Sequence, residues 1–271
     1  MYIGIDIGGT KTLAAVLDDD GVIIEHERFP SPKDYREFLV ELSNTVSRFV
    51  HHDFKAGGCG VAAKLDREDG KIVKMGNLPW ADVPFQTDLE EICKCPMVIE
   101  NDAKMGGLSE ALLLKEKYKK VLYVAIGTGI GTALVDKGMI DDGVGDAGGR
   151  ALLLEHRGKL EPWEQFAGGR ALANRYGKPA KDITDPKTWR NICRYLAQGL
   201  VQLIAISEPE VIVIGGGVGV YFDRYGKILK DEVGKYALPL VTMPEFVSAQ
   251  RPDEAVIYGC YDLAKQTYNH E

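Results

Sequence analysis

The chain has 271 residues, 45 % of them hydrophobic and 27 % charged, with a formal net charge of −7. That length can bury one large or two ordinary cores. An acidic balance, with pI near 5.4, offers no basic face for a phosphate backbone, so no nucleic-acid partner is expected. A phosphorylated small molecule stays compatible, because backbone N–H groups and a metal ion can hold it. Mean hydropathy is −0.14, and no apolar run approaches the ~20 residues of a membrane-spanning helix. The chain reads as a strand from its second residue, without a basic leader or cleavage site, so a cytoplasmic location is expected.

In chain order, residues 3–7, 13–17 and 22–28 read as strands, with turn chemistry at Asp18-Asp19-Asp20-Gly21. Residues 33–51 follow as a helix with Phe38, Leu39, Leu42, Val46 and Phe49 at helical spacing. Residues 58–63 and 97–100 read as buried strands separated by a short helix over 89–93. A helix over 104–117 precedes strands at 121–125, 131–135 and 139–140. Then come a helix over 189–207, a strand over 211–214, a helix from Tyr221 and a last helix over 255–266. Each half opens with hairpin-linked strands and a Gly-rich turn, a weak internal duplication. The pattern predicts an N-terminal α/β domain over 1–110, with helix 255–267 packed on it, and a C-terminal α/β domain over 111–254.

The five cysteines are odd in number and scattered. Cys93 and Cys95 are the only close pair and lack a third and fourth ligand nearby. Reduced, partly buried thiols are expected, with neither a disulfide framework nor a structural zinc.

Four segments carry chemistry. In Asp6-Ile7-Gly8-Gly9-Thr10-Lys11-Thr12, glycines let the backbone approach a ligand, and free N–H groups, two hydroxyls and Lys11 can hold phosphate oxygens. Asp6 can hold hydrated Mg²⁺ through water. Gly127-Thr128-Gly129-Ile130-Gly131 runs into another strand, so a dinucleotide fingerprint, which opens a helix, does not fit. Val213-Ile214-Gly215-Gly216-Gly217 offers open backbone for a flat ring, or close strand–helix packing. In Glu100-Asn101-Asp102-Ala103-Lys104, Asp102 reads either as a helix N-cap or as a general base for a hydroxyl.

Together with Gly76-Asn77-Leu78-Pro79-Trp80, Trp163-Glu164 and Gly259-Cys260, these segments resemble the ROK family of sugar kinases and regulators, nearly end to end. The resemblance implies an actin-like ATPase (ribonuclease H-like) fold, with two α/β domains around an interdomain cleft. It implies a hexokinase- or glucokinase-like transfer of the γ-phosphate of ATP, with Mg²⁺, to a hexose hydroxyl. It makes Asp102 the catalytic base and assigns Asn77, Asn101, Asp102 and Glu164 to the sugar. Gly8, Gly9, Thr10, Lys11, Thr12, Gly127, Thr128, Gly129 and Gly131 are assigned to donor phosphates, Gly215, Gly216 and Gly217 to the nucleotide. A homodimer is expected.

The chain departs from the family after its second loop. Members usually carry Glu-x-Gly-His there and a downstream Cys-x-Cys zinc cluster. Here Asp146-Ala147-Gly148-Gly149-Arg150-Ala151-Leu152 stands instead, with Gly148 or Gly149 replacing the Glu and Ala151 or Leu152 the His, according to register. The zinc segment is replaced by Arg157-Gly158-Lys159-Leu160-Glu161-Pro162. His156 and Glu155 are candidate substitutes at the sugar. Arg150 can favour an acidic substrate or pair with Asp146. The departure keeps three alternatives open: an N-acetylhexosamine kinase, a polyphosphate-dependent glucokinase (with Lys115, Lys117, Lys119 and Lys120 as cations), or a catalytically impaired sugar or nucleotide sensor.

Overall fold

The computed structural model describes residues 1–236 and 239–268. The chain divides into two compact units, Met1–Ser109 with the segment from Glu254, and Glu110–Asp253.

The first unit contains β1 (Tyr2–Ile7), β2 (Lys11–Leu17), β3 (Ile23–Pro30), α1 (Tyr35–Arg48), β4 (Ala56–Val61), β5 (Ala63–Asp66), β6 (Lys71–Met75), β7 (Ala81–Val83), α2 (Phe85–Cys93) and β8 (Met97–Asn101); α3 (Asp102–Leu113) follows. The main sheet runs β3-β2-β1-β4-β8. Its first three strands are antiparallel, and β4 and β8 add in parallel. Helix α1 starts where Asp34 accepts the Arg36 and Glu37 N–H groups, and it buries Phe38, Leu42 and Val46 at helical spacing. Strand β4 is rich in glycine, a poor strand former, because the C-terminal helix (Ala255–Tyr268) lies on it. A Cβ on Gly58 would stand 2.5 Å from the Cys260 carbonyl, and one on Gly259 1.9 Å from the Met105 carbonyl.

The second unit contains β9 (Lys120–Ile126), β10 (Ile130–Asp136), β11 (Met139–Asp141), a 3₁₀ turn at Gly148–Arg150, β12 (Leu153–His156), β13 (Lys159–Pro162), α4 (Glu164–Ala167), α5 (Gly169–Tyr176), α6 (Pro186–Ser207), β14 (Val211–Gly215), α7 (Gly216–Gly219), α8 (Phe222–Gly234) and β15 (Glu245–Ser248). Its sheet runs β11-β10-β9-β14-β15. Again three antiparallel strands come first and two parallel ones follow. Each unit therefore realises the same strand order, with a Gly-rich turn joining its first two strands. Helix α6 opens with Asp185 capping the Thr188 N–H at 2.8 Å and Pro186 in its first turn. It buries Trp189, Ile192, Leu196, Leu200 and Ile204 beneath the sheet.

The helix expected over 104–117 begins at Asp102 and ends at Leu113. Turn bonds from Leu114 to Ala111 and from Lys117 to Leu114 take over there. The β5-β6-β7 sheet, the β12–β13 hairpin, α4, α5 and β15 were outside the sequence reading.

Candidate active site

The first unit gathers four segments at the ends of β1 and β8. The turn after β1 is closed by the Gly8 N–H to the Lys11 carbonyl at 3.0 Å. Ser31 braces it, donating its N–H to the Thr10 carbonyl at 3.1 Å and its hydroxyl to the Gly8 carbonyl at 2.8 Å. Thr10 and Lys11 are exposed. Thr12 is fully buried, with its hydroxyl 2.9 Å from Ser31 Oγ. That corrects the expectation for its side chain: it holds the loop and does not face a phosphate. Asn77 is exposed, on a turn fixed by buried Leu78 and Trp80. Its Cβ lies where a Cβ on Gly9 would come within 2.7 Å, so the Gly9 backbone is packed directly against Asn77.

The start of α3 divides its tasks in a way the sequence left open. Asn101 is the cap: its Oδ1 accepts the Ala103 N–H at 3.0 Å and lies 3.4 Å from the Lys104 N–H. Asp102 occupies the first helical turn, and its Oδ1 accepts the Ala103 N–H at 2.8 Å. Beneath them Glu100 is buried. It accepts the Asn101 N–H at 2.6 Å and is clasped by Arg67, whose Nε lies 2.8 Å from Oε2 and whose Nη2 bonds Oε1. Arg67, on the β5–β6 turn, was not singled out from sequence, and no local signal links it to Glu100, 33 positions away.

Burial, with the Asp102 charge adding to it and Arg28 opposing, pushes the Asp6 carboxyl up to about 7. Burial also raises Asp102, against the pull of its backbone hydrogen bond to Ala103. Among the described residues no hydrogen-bond donor serves the Asp6 carboxylate. A desolvated carboxylate with a second one near it fits a hydrated divalent cation, whose charge would relieve both. Among the described residues no group of three or more His, Cys, Asp or Glu side chains is arranged to hold a metal directly.

In the second unit the turn after β9 is pinned from below. The Gly127 carbonyl accepts the Gly169 N–H at 2.8 Å, and the Thr128 carbonyl accepts the Arg170 N–H at 3.1 Å. Thr128 is exposed, and a Cβ on Gly127 would meet nothing within 4 Å. At Gly129 the requirement for glycine is strict, because a Cβ would stand 2.2 Å from Glu164 Oε2. Gly131 pairs with Ala125 inside the sheet. The Gly168-Gly169 doublet under this loop was also missed, though a Gly-Gly pair before a helix was visible in the sequence.

Glu164 has a donor on each oxygen: Arg150 Nε at 3.0 Å from Oε1 and the Ile130 N–H at 3.3 Å from Oε2. Arg150 forms its ion pair with Glu164, a partner the sequence reading did not name. Glu cannot stand at Gly148 or Gly149 in this turn. Their Cβ atoms would lie 2.6 Å from the Ile130 carbonyl and 2.8 Å from Ile130 Cβ.

His156 is 8 % exposed. Its ring stacks on Phe166 at 4.5 Å, meets Tyr195 edge-on at 5.2 Å, and places Nε2 3.3 Å from Arg175. Burial and Arg175 hold it below the usual imidazole range. It packs the β12–β13 hairpin onto the core, which corrects its assignment to the sugar. Glu155 is spent on the hairpin turn, accepting the Gly158 N–H at 2.6 Å.

Of the three glycines expected at the nucleotide, two answer to packing. A Cβ on Gly215 would stand 2.4 Å from the Tyr123 hydroxyl. Gly216 has φ +73° and lies against the Ile126 backbone. Gly217 has open space around its Cβ position. Lys117, a candidate polyphosphate contact, pairs with Glu245 at 3.2 Å.

The sequence model of the ROK family matches residues 2–267. The chain belongs to the ROK family. It is 30 % identical over 235 residues to a putative fructokinase of Bacillus subtilis, covering 80 % of this chain and 77 % of that one. It is 25 % identical over 315 aligned positions to a glucokinase of Streptomyces coelicolor, covering 98 % of each. Among solved structures, the ROK family glucokinase of Streptomyces griseus, in complex with glucose and AMPPNP, superposes with a TM-score of 0.82 at 25 % identity, over 98 % of this chain and 99 % of that one. The two sheets are those of the actin-like ATPase fold of ROK sugar kinases.

Proposed function

We propose that this ROK protein is an ATP-dependent hexose kinase with Asp102 as its catalytic base. The observation that carries the reading is the division of labour at α3. Asn101 does the capping, so the half-buried Asp102 carboxylate, raised by desolvation, serves as a proton acceptor.

In the mechanism, Asp102 takes the proton of the acceptor hydroxyl as that oxygen bonds to the γ-phosphorus of ATP and ADP leaves. Asn77, Asn101 and Glu164 position the sugar. The backbone N–H groups of the turns at Gly8–Lys11 and Gly127–Gly129, with Thr10, Lys11 and Thr128, face the donor phosphates. Asp6 would hold hydrated Mg²⁺, which when bound neutralises charge on the phosphate oxygens. The open backbone at Gly217 suits the nucleoside. A homodimer, expected from the family resemblance, completes the reading.

The test is a phosphoryl-transfer screen with Mg²⁺-ATP, and separately polyphosphate, against glucose, mannose, fructose, N-acetylated hexosamines and acidic hexoses. Turnover that vanishes in Asp102→Asn upholds the kinase and its base. A specific observation favours a second reading: Arg150 already occupies Glu164, as suits a sensor that binds without turnover. Nucleotide and sugar binding with no transfer to any acceptor would select it.

A further inference from the structure

Arg150 donates to Glu164 through Nε alone, and among the described residues neither terminal nitrogen has an acceptor. The Arg150 side chain is 56 % exposed, whereas that of Glu164 is 18 % exposed. An exposed arginine on an ordinary surface holds no single geometry. Here its root is fixed, because Gly148 has φ +50° and Gly148 and Gly149 are seated on Ile130, the residue that follows the Gly127–Gly129 turn. Its tip is fixed by Glu164, whose other oxygen is turned toward the Ile130 N–H.

A neutral hexose that needs Glu164 must therefore compete with a charged donor. An anionic group meets two free nitrogens in a planar fork, the geometry that receives a carboxylate or phosphate through paired hydrogen bonds. In a chain of net charge −7, a cation held against a sugar-binding carboxylate is a local provision for negative charge. We propose that Arg150 determines acceptor specificity, and that the acceptor is a hexose bearing an anionic substituent received by Nη1 and Nη2 of Arg150. The inference rests on the kinase reading and sharpens its substrate class.

The experiment compares hexuronates and hexose monophosphates with their neutral parent hexoses. It measures kcat/KM with Mg²⁺-ATP, and binding by calorimetry without donor, for wild type, Arg150→Gln and Arg150→Lys. Wild type is expected to prefer the anionic member of a pair, and the carboxylate and phosphate arms identify which anion. In Arg150→Gln the anionic-to-neutral ratio falls about 10- to 100-fold, as for loss of hydrogen bonds to a charged group, and Arg150→Lys recovers part of it. Wild-type preference for the neutral hexose, or a ratio unchanged in Arg150→Gln, overturns the proposal while leaving the kinase reading intact. If nothing is phosphorylated the kinase reading fails, and calorimetry decides. Anionic-sugar binding lost in Arg150→Gln upholds Arg150 as the anion contact, and its absence or indifference to Arg150 overturns it.

Discussion

Asp6 at the end of β1 and Asp102 at the start of α3 are electrostatically coupled, the charge of Asp102 opposing ionisation of a carboxyl that burial already raises. Asp6 arrives there because β1 is a buried strand that ends in a glycine turn. Asp102 arrives because β8, parallel to β4 in the same sheet, delivers it through Asn101. This repulsion and the burial of the two carboxyls give the first two predictions.

Asp6→Asn removes a carboxylate whose ionisation is unfavourable in the metal-free fold. With the folded pKa raised to about 7, stability from this group is fully present below the ordinary carboxylate pKa and is lost as pH rises through about 7. In EDTA the variant is therefore expected to match wild type near pH 4 and to be more stable by about 1–3 kcal/mol near pH 8, discounted for partial solvent access. Added Mg²⁺ should stabilise wild type and not the variant. Thermal melts at the two pH values, with and without Mg²⁺, check both signs.

Asp102→Asn is expected to lower kcat about 10²- to 10⁴-fold, the usual contribution of a positioned base, without loss of thermal stability. In wild type, activity should fall as pH drops through a pKa above the ordinary carboxylate range, because the base must be ionised to act. A kcat–pH profile whose acid limb sits at an ordinary carboxylate value would contradict the burial argument.

Arg67→Met leaves the Glu100 carboxylate, 7 % exposed at its side chain, without its cation. The loss should be about 3 kcal/mol, as for breaking a buried pair from one side. Denaturant unfolding is expected to show recovery of part of this loss in the double variant Arg67→Met/Glu100→Gln, where position 100 no longer carries a charge.

Gly127→Ala and Gly129→Ala should separate sharply although the two glycines are two positions apart. The first adds a methyl into open space, whereas the second places one 2.2 Å from Glu164 Oε2. We expect Gly129→Ala to raise KM for both sugar and ATP by displacing Glu164 and the turn together. Circular dichroism should show both variants folded.

Thr12→Val tests the correction made at the first loop. It removes the bond to Ser31 and should cost about 0.5–1.5 kcal/mol of stability, with KM for ATP little changed. A large rise in KM with unchanged stability would return Thr12 to the phosphate contacts.

What the sequence determined by itself is the repeated frame. Alternating apolar runs announced β1, β2, β9, β10 and β14, and helical spacing announced α1, α6 and the C-terminal helix. Glycines placed after β1 and β9 marked both turns, because short-range sterics decide where a chain can bend and which faces are apolar. The Glu100–Asp102 segment was legible for the same reason, as a polar triplet closing a buried strand. The short strands β5–β7, the β12–β13 hairpin and β15 were not, since each is a mixed polar and apolar segment that gains its stability from partners elsewhere in the chain.

Only the tertiary structure decided who pairs with whom. It set Arg67 on Glu100 and Arg150 on Glu164, gave the cap to Asn101 instead of Asp102, sealed Thr12 against Ser31, and stacked His156 on Phe166. A side chain's partner and burial depend on what the fold brings beside it, across separations that no local pattern records. Those partners set the charge each carboxylate carries and the groups left to meet a substrate.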